Sequence, residues 1–430
     1  MLSKYIPKAL LTKENLFLFS FFLIIFTMPI SPNLNSICII ILAIIWILSG
    51  SFLNYKNFCN VNFISHAVLY AMFIVGVFYS EDKKNAFFQL EQKFSLLAFP
   101  IIFSTMPKLK EKHYNYILYG FVVSTLIYTC YCLCAAFYFN YIVDSSFSIK
   151  ENYFTNQTLA GYIGFHSTYF SIYIIISLVI IFDFLLKNKL STLNYILTLT
   201  ISAFFIFFIF LLASRIIMLS LIVLLLVLLI KFLVSKKMNF IQGLFIAVSC
   251  IIGGLFFFKS DYLKNRTNEI LNVNTLDLIG SNNENGVSQR VFFWQNALEI
   301  IKGSPYIGYG TGDVYLQYDK QYDKLLAQNP HYPPSVIAAI IFFKEKNYNT
   351  HSQYLQVLIS FGSVGLFVFL AYLFNLFINS IRTKNIIYLS FLLLFVLVFF
   401  TESVFERHYG IVFFMFFNSI FLFHSPKAQK

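Results

Sequence analysis

Arg215, Arg290 and His351 are far apart in the chain, yet the three residue types suit one kind of chemistry. A guanidinium stays charged and offers paired N–H donors that fit two phosphate oxygens at once. An imidazole can take a proton from a hydroxyl near neutral pH. Two arginines and a base therefore suit a reaction in which a hydroxyl attacks and a diphosphate leaves, the arginines stabilising the departing charge. Glu402, Glu406, Arg407 and His408 follow in a short polar interval near the end of the chain. Glu402 and Arg407 are candidates for substrate contact, and an ion pair fixing the last two apolar runs explains the acidic residues and Arg407 equally well. No DxD pair of carboxylates is present, which argues against a divalent-metal site.

Whether these groups can meet depends on topology. The chain has 430 residues, of which 58% are hydrophobic and only 12% charged. A soluble domain carries about 25% charged residues, so this composition indicates an all-α, polytopic integral membrane protein. Apolar runs give about twelve spans, near 16–31, 37–53, 64–79, 94–106, 115–143, 164–186, 192–213, 214–234, 240–258, 353–380, 386–400 and 409–424. The first has no small-residue cleavage site after it and reads as an uncleaved span. The expected organisation is a transmembrane bundle over 1–258, a long outer loop with surface helices over 259–352, and three more spans with a cytoplasmic tail over 353–430.

Charge sets the orientation. With the N-terminus cytoplasmic, the inner segments hold sixteen of the 31 basic residues, from Lys4 to Lys430. The short outer loops hold six, Lys83, Lys84, Lys93, Lys150, Arg215 and Arg407. This positive-inside bias puts both termini in the cytoplasm and accounts for the net charge of +12 as an insertion signal, leaving no reason to invoke nucleic acid. It also brings Arg215, Arg290, His351 and the 402–408 interval to one outer face.

The other polar features are weaker. Residues 85–93 form an amphipathic stretch expected to lie along the outer surface before a short fourth span. His166 opens the sixth span, either as a substrate contact or as a hydrogen-bonded imidazole at a capped helix start, the second being the better expectation. Arg215 sits between two apolar runs with almost no loop; it is either a snorkelling anchor or functional, and the bias against basic residues on this side raises the second. Cys130, Cys132 and Cys134 have no ligand partners at suitable spacing and read as small buried apolar residues.

The long polar interval carries most of the remaining signal. A helix is expected after Ser288 as N-cap, with Arg290 in its first turn and Val291, Trp294, Ala297, Leu298 and Ile301 at helical spacing. Gly303 and Pro305 stop it. Gly308, Gly310 and Gly312 lack the lysine and the strand–turn–helix setting of a nucleotide loop, so they predict a tight turn that brings backbone close to a neighbour. Two short helices are expected between Asp319 and Lys346, with 336–343 dipping toward the membrane. The eight tyrosines from Tyr306 to Tyr354 suit sugar stacking or anchoring at the membrane interface.

Ser214-Arg215 opening a span, Arg290-x-x-x-Trp294 leading to Pro305-x-x-Gly308-x-Gly310, and His351-Ser352-x-Tyr354-Leu355 followed by Phe361-Gly362-x-x-Gly365 together resemble the O-antigen ligase family. That family includes bacterial ligases, polysaccharide polymerases and protein O-oligosaccharyltransferases. The resemblance runs from about Ser214 to Glu402 and implies a GT-C-like glycosyltransferase of the bacterial inner membrane. It implies a glycan moved from undecaprenyl diphosphate to lipid A-core oligosaccharide at the periplasmic face, without metal or cofactor; a single direct displacement at the anomeric carbon would then give inversion. By motif it puts Arg215 and Arg290 on the diphosphate and makes His351 the base, with His166, Tyr354, Glu402 and Arg407 as possible substrate contacts. A repeat-unit polymerase differs only in its acceptor. A transporter or flippase is the alternative of another class, disfavoured because charge is nearly absent from span centres.

Overall fold

The computed structural model describes residues 12–145, 148–187, 190–212, 217–224 and 286–426, and among these no strand occurs. Ten helices precede the long interval: α1 (Lys13–Thr27), α2 (Pro32–Leu48), α3 (Val61–Tyr79), α4 (Lys83–Gln92), α5 (Ser95–Thr105), α6 (Glu111–Tyr138), α7 (Glu151–Phe154), α8 (Asn156–Gly161), α9 (Ser167–Lys187) and α10 (Thr192–Leu212). Six follow: α11 (Gly286–Gly303), α12 (Val314–Gln328), α13 (Pro334–Glu345), α14 (Gln353–Thr383), α15 (Ile386–Val398) and α16 (His408–His424). Residues 217–224 are also helical. Arg215, the apolar run 240–258 and the start of the long loop lie outside the described residues.

Among the described residues, five helices are long and apolar enough to cross a membrane: α3, α6 with its extension to Val143, α9, α10 and α14. Three shorter apolar helices, α2, α15 and α16, accompany them. The run at 94–106 becomes α5, which has 11 residues. At about 1.5 Å per residue it rises only about 16 Å, roughly half an apolar bilayer core, so it does not make a full span by itself. Local sequence explains the starts. Ser31 accepts from Leu34 N ahead of Pro32 at the first position of α2, and Asn385 accepts from Tyr388 N ahead of α15.

The centre of the bundle is α16, buried almost continuously from Gly410 to Phe421, with α5, α14 and the loop before it packed around it. Aromatic side chains fill this core. Phe413 stacks on Tyr173 of α9 at 4.2 Å between centroids, and Phe416 meets Phe21, Phe99 and Phe103 edge-on. Such pairs favour offset and edge geometries because the ring faces are negative and the edges positive. Of the three clustered cysteines on α6 only Cys132 is buried; Cys130 and Cys134 face outward, correcting the expectation that all three pack inside.

The long loop has its own small core. α11, α12 and α13 bury Phe292, Phe293, Ala297, Ile300, Tyr318, Tyr322, Val336, Ile340 and Phe343 together with Ile359 of α14. Three expectations shift here. α11 already runs from Gly286, so Ser288 lies within its first turn and Arg290 just beyond it. The buried stripe is Phe292, Phe293, Asn296, Ala297 and Ile300, while Leu298 is exposed, because two adjacent aromatic rings outweigh a regular aliphatic spacing in area. Within 336–343, Val336, Ile340 and Phe343 pack into this local core, and Tyr318 and Tyr322 are core residues instead of stacking or anchoring rings.

The loop is fastened to the bundle where α14 breaks. Gly362 has φ 61° and ψ −160°, a conformation open almost only to glycine. The break strips helical partners from the backbone on either side. The carbonyls of Ile359 and Ser360 accept Tyr309 N (2.9 Å) and Gly310 N (2.8 Å), and Ser363 N and Val364 N donate to the carbonyls of Pro305 (2.9 Å) and Tyr306 (3.2 Å). On its other side the same segment meets α3, where Thr311 N donates to Gly76 O at 3.3 Å. A Cβ on Gly308 would lie 2.4 Å from Phe361 N, and one on Gly312 would lie 2.4 Å from Asp82 O. The glycines are therefore a close-approach turn, as their sequence predicts. Substituting Gly362→Ala should destabilise the fold by at least about 1–3 kcal/mol from backbone strain alone, read as a lower Tm in detergent; an unchanged Tm would rule out this docking.

Candidate functional site

Three connections converge beside the loop's small core. α11 brings Arg290, the turn between α13 and α14 brings His351, and the link between α15 and α16 brings Glu402 and Arg407. Arg290 Nη2 donates to Glu402 Oε1 at 2.8 Å, and the other carboxylate oxygen lies 4.0 Å from His351 Nδ1. Glu402 thus faces both the arginine and the imidazole.

The turn carrying His351 is held in place against local preference. His351 has φ 46°, unusual for a residue with a Cβ. Asn349 Oδ1 accepts its N–H at 3.0 Å. Ser352 caps α14, and its N–H reaches both Thr350 Oγ1 and Ser403 Oγ at 3.1 Å. Gln353 completes the clamp: its N–H donates to Phe399 O and its Oε1 accepts Phe405 N–H, both at 2.8 Å. Histidine and glutamate are therefore positioned by one shared network between two connections. The imidazole also stacks on Phe293 of α11 at 5.7 Å and 17°. Strained backbone fixed by a buried polar network is a common signature of functional sites.

Burial disfavours the charged form of the two imidazoles that lie in the field of Glu402. Burial lowers His351 to about 4; Glu402 pulls the other way, and Arg290, Arg407 and His166 reinforce the lowering. His166 is lowered in the same manner, chiefly by burial, with Glu402 opposing and Arg407 and Arg290 assisting. Its Nδ1 accepts Thr168 N–H at 3.3 Å at the start of α9, which is the capping role expected for it, within the field of the same charges. A neutral imidazole has a lone pair to accept a proton. Arg290 Nε and Trp294 Nε1, one turn apart on α11, are both buried without a hydrogen-bond partner among the described residues. Leaving a buried donor unpaired costs about 1–3 kcal/mol, so such donors point to a missing acceptor.

Not every candidate joins this group. Tyr354 packs against Phe400 at 4.7 Å and donates its hydroxyl to Val396 O at 3.0 Å, so it fastens α14 to α15. Arg215 lies outside the described residues. Glu406 pairs with Lys93, at 2.9 Å, and not with Arg407. Arg407 is exposed and makes no ion pair among the described residues, yet it lies close enough for its charge to act on His351 and His166. Lys93 was one outer-loop lysine among several in the sequence, with no signal that it would be buried at 2% exposure. Asp313 was equally silent: its two carboxylate oxygens accept Glu81 N (2.7 Å) and Asp82 N (2.9 Å), tying the glycine turn to the start of α4.

Residues 200–370 match the family model described as O-antigen ligase. This spans Arg290, the glycine turn, His351 and the break in α14, and it overlaps the stretch from about Ser214 on which the sequence resemblance rests. No curated protein matches the chain.

The buried histidine makes stability pH-dependent in a defined direction. Between about pH 6.5, the ordinary histidine value, and the folded value of about 4, the unfolded chain binds a proton that the folded site refuses. Stability is therefore complete above this window and falls as the pH drops through it. His351→Gln should flatten that part of the Tm-against-pH curve in detergent, and an unaltered slope would show that the imidazole is not held in this field.

Proposed function

We propose, starting from the O-antigen ligase domain that this chain carries, that it is a membrane glycosyltransferase acting on a polyprenyl diphosphate-linked glycan. The family's chemistry is ligase or polymerase transfer of a lipid-linked glycan to an acceptor. The finer reading is transfer from undecaprenyl diphosphate to a hydroxyl of lipid A-core oligosaccharide, at the periplasmic face of the bacterial inner membrane. The observation that carries it is the guanidinium of Arg290, its Nε without a partner among the described residues, on the same carboxylate that faces the imidazole of His351.

Each group then has one task. His351 takes the proton of the acceptor hydroxyl as its oxygen attacks the anomeric carbon. The bond from that carbon to the diphosphate breaks, and its electron pair leaves with the diphosphate. Arg290 and Arg215 stabilise the developing charge, a task that favours guanidinium over a point charge. One displacement inverts the anomeric centre. Charge balance also links the two substrates. A bound diphosphate competes with Glu402 for Arg290, and both the new anion and the released carboxylate favour a protonated His351. Donor binding thus raises the basicity of a group that is a weak base without it.

Purified protein reconstituted with labelled lipid-linked donor tests this reading. His351→Ala should lower transfer by about 10²–10⁴-fold, the usual share of general-base catalysis, and transfer at the unaltered rate would remove the base. Arg290→Lys should keep charge but lose paired contact, giving a higher donor KM and a lower kcat; undiminished kinetics would remove the clamp. Offering lipid A-core or a second lipid-linked repeat unit as acceptor separates ligase from polymerase.

A further inference from the structure

The acid beside Arg407 is drawn away from it. Glu406 closes a short 3-10 turn, Val404–Glu406, and its carboxylate turns inward, with the side chain only 5% exposed. There Lys93 Nζ donates to Glu406 Oε2 at 2.9 Å and to Gln89 Oε1 at 2.6 Å, 5.5 Å from the centroid of Phe73. The lysine sits between α4 and α5, and Phe73 on α3 meets Phe361, next to the α14 break, edge-on at 5.0 Å. Lys93, itself bonded to Gln89 of α4 and set beside Phe73 of α3, thus holds Glu406, while the next residue, Arg407, is exposed and makes no ion pair among the described residues.

A buried ion pair contributes little net stability, because desolvation offsets most of its attraction. With Glu406 committed to Lys93, the 399–407 link presents Arg407 as an uncompensated cation five residues from Glu402. The charge of Arg407 acts on His351 before α14, His166 before α9, Tyr169 on α9 and Tyr315 on α12, and Arg290 and Glu402 act on the same two histidines.

We propose that Arg407 is a further phosphate-binding residue of the site, and that the Lys93–Glu406 pair is a positioning device that keeps its guanidinium free for the ligand. This rests on the glycosyl-transfer reading above. The ligand chemistry is a phosphate group, carried either by the lipid-linked donor or by a phosphorylated acceptor glycan. Arg407→Gln should raise the KM of the phosphate-bearing substrate about tenfold or more, the loss expected of a charge-assisted contact, with kcat changed far less. A rise in donor KM alone assigns the contact to the donor diphosphate, and a rise in acceptor KM alone assigns it to an acceptor phosphate.

The positioning role has its own signature. Lys93→Met releases Glu406 to neutralise Arg407, so it should raise the same KM by a similar factor, and Lys93→Met combined with Arg407→Gln should be no worse than Arg407→Gln alone. Lys93→Met combined with Glu406→Gln removes both charges of the pair and should return the KM to near the starting value, which guards against simple misfolding of the single variant. Full additivity of Lys93→Met and Arg407→Gln would overturn the coupling. Unchanged KM for both substrates in Arg407→Gln, in a protein whose His351→Ala variant is inactive, would overturn the proposal while the transfer reading stands; activity surviving in His351→Ala would remove that reading itself.

Discussion

The structure depends on how a broken helix satisfies its backbone. α14 is apolar enough to cross a membrane, where an unpaired carbonyl or N–H costs several kcal/mol. At Gly362 it loses its helical register, and Pro305–Thr311 supplies the missing partners on both sides of the break. Because the same segment reaches α3 through Thr311 and α4 through Asp313, one short stretch of backbone joins the loop's small core to the bundle. The glycines are required there because the partner is main chain, and no side chain fits between. The position of α11, and of Arg290 on it, follows from this attachment.

Within the site the governing quantity is charge pairing. One carboxylate, Glu402, stands against Arg290 and His351, and the other acid of the link, Glu406, is committed to Lys93. Arg407 is left without an acidic partner among the described residues, near an imidazole whose charged form burial disfavours. The same polar network that bonds Thr350, Ser352 and Gln353 to the 399–405 link fixes the geometry of these groups, so the base and its carboxylate move as a unit.

Much of this was legible in the sequence, and the exceptions share a cause. Apolar runs marked many of the described helices, and the glycine spacing marked the close turn, because these signals are local. Arg290 and His351 stood out because they are polar residues in a chain with few of them. Tyr354 also stood out, yet its hydroxyl belongs to a helix contact with Val396. Lys93 could not be distinguished from its neighbours Lys83 and Lys84, since its burial depends on Glu406, 313 residues away. The face of α11 was misjudged for a related reason. Periodicity ranks positions by spacing, whereas burial followed the ring area of Phe292 and Phe293 against α12 and α13.

The placement of α16 bears on how such a protein is made. It is the innermost helix of the bundle and follows every other described helix in the chain. During synthesis, α5, α9 and α14 must wait in the membrane with their central aromatic faces turned to lipid or to the insertion machinery. The link carrying Glu402 and Arg407 enters just ahead of it. Assembly of the charged site and closure of the bundle are therefore a single late event, and a chain stalled before that point has neither.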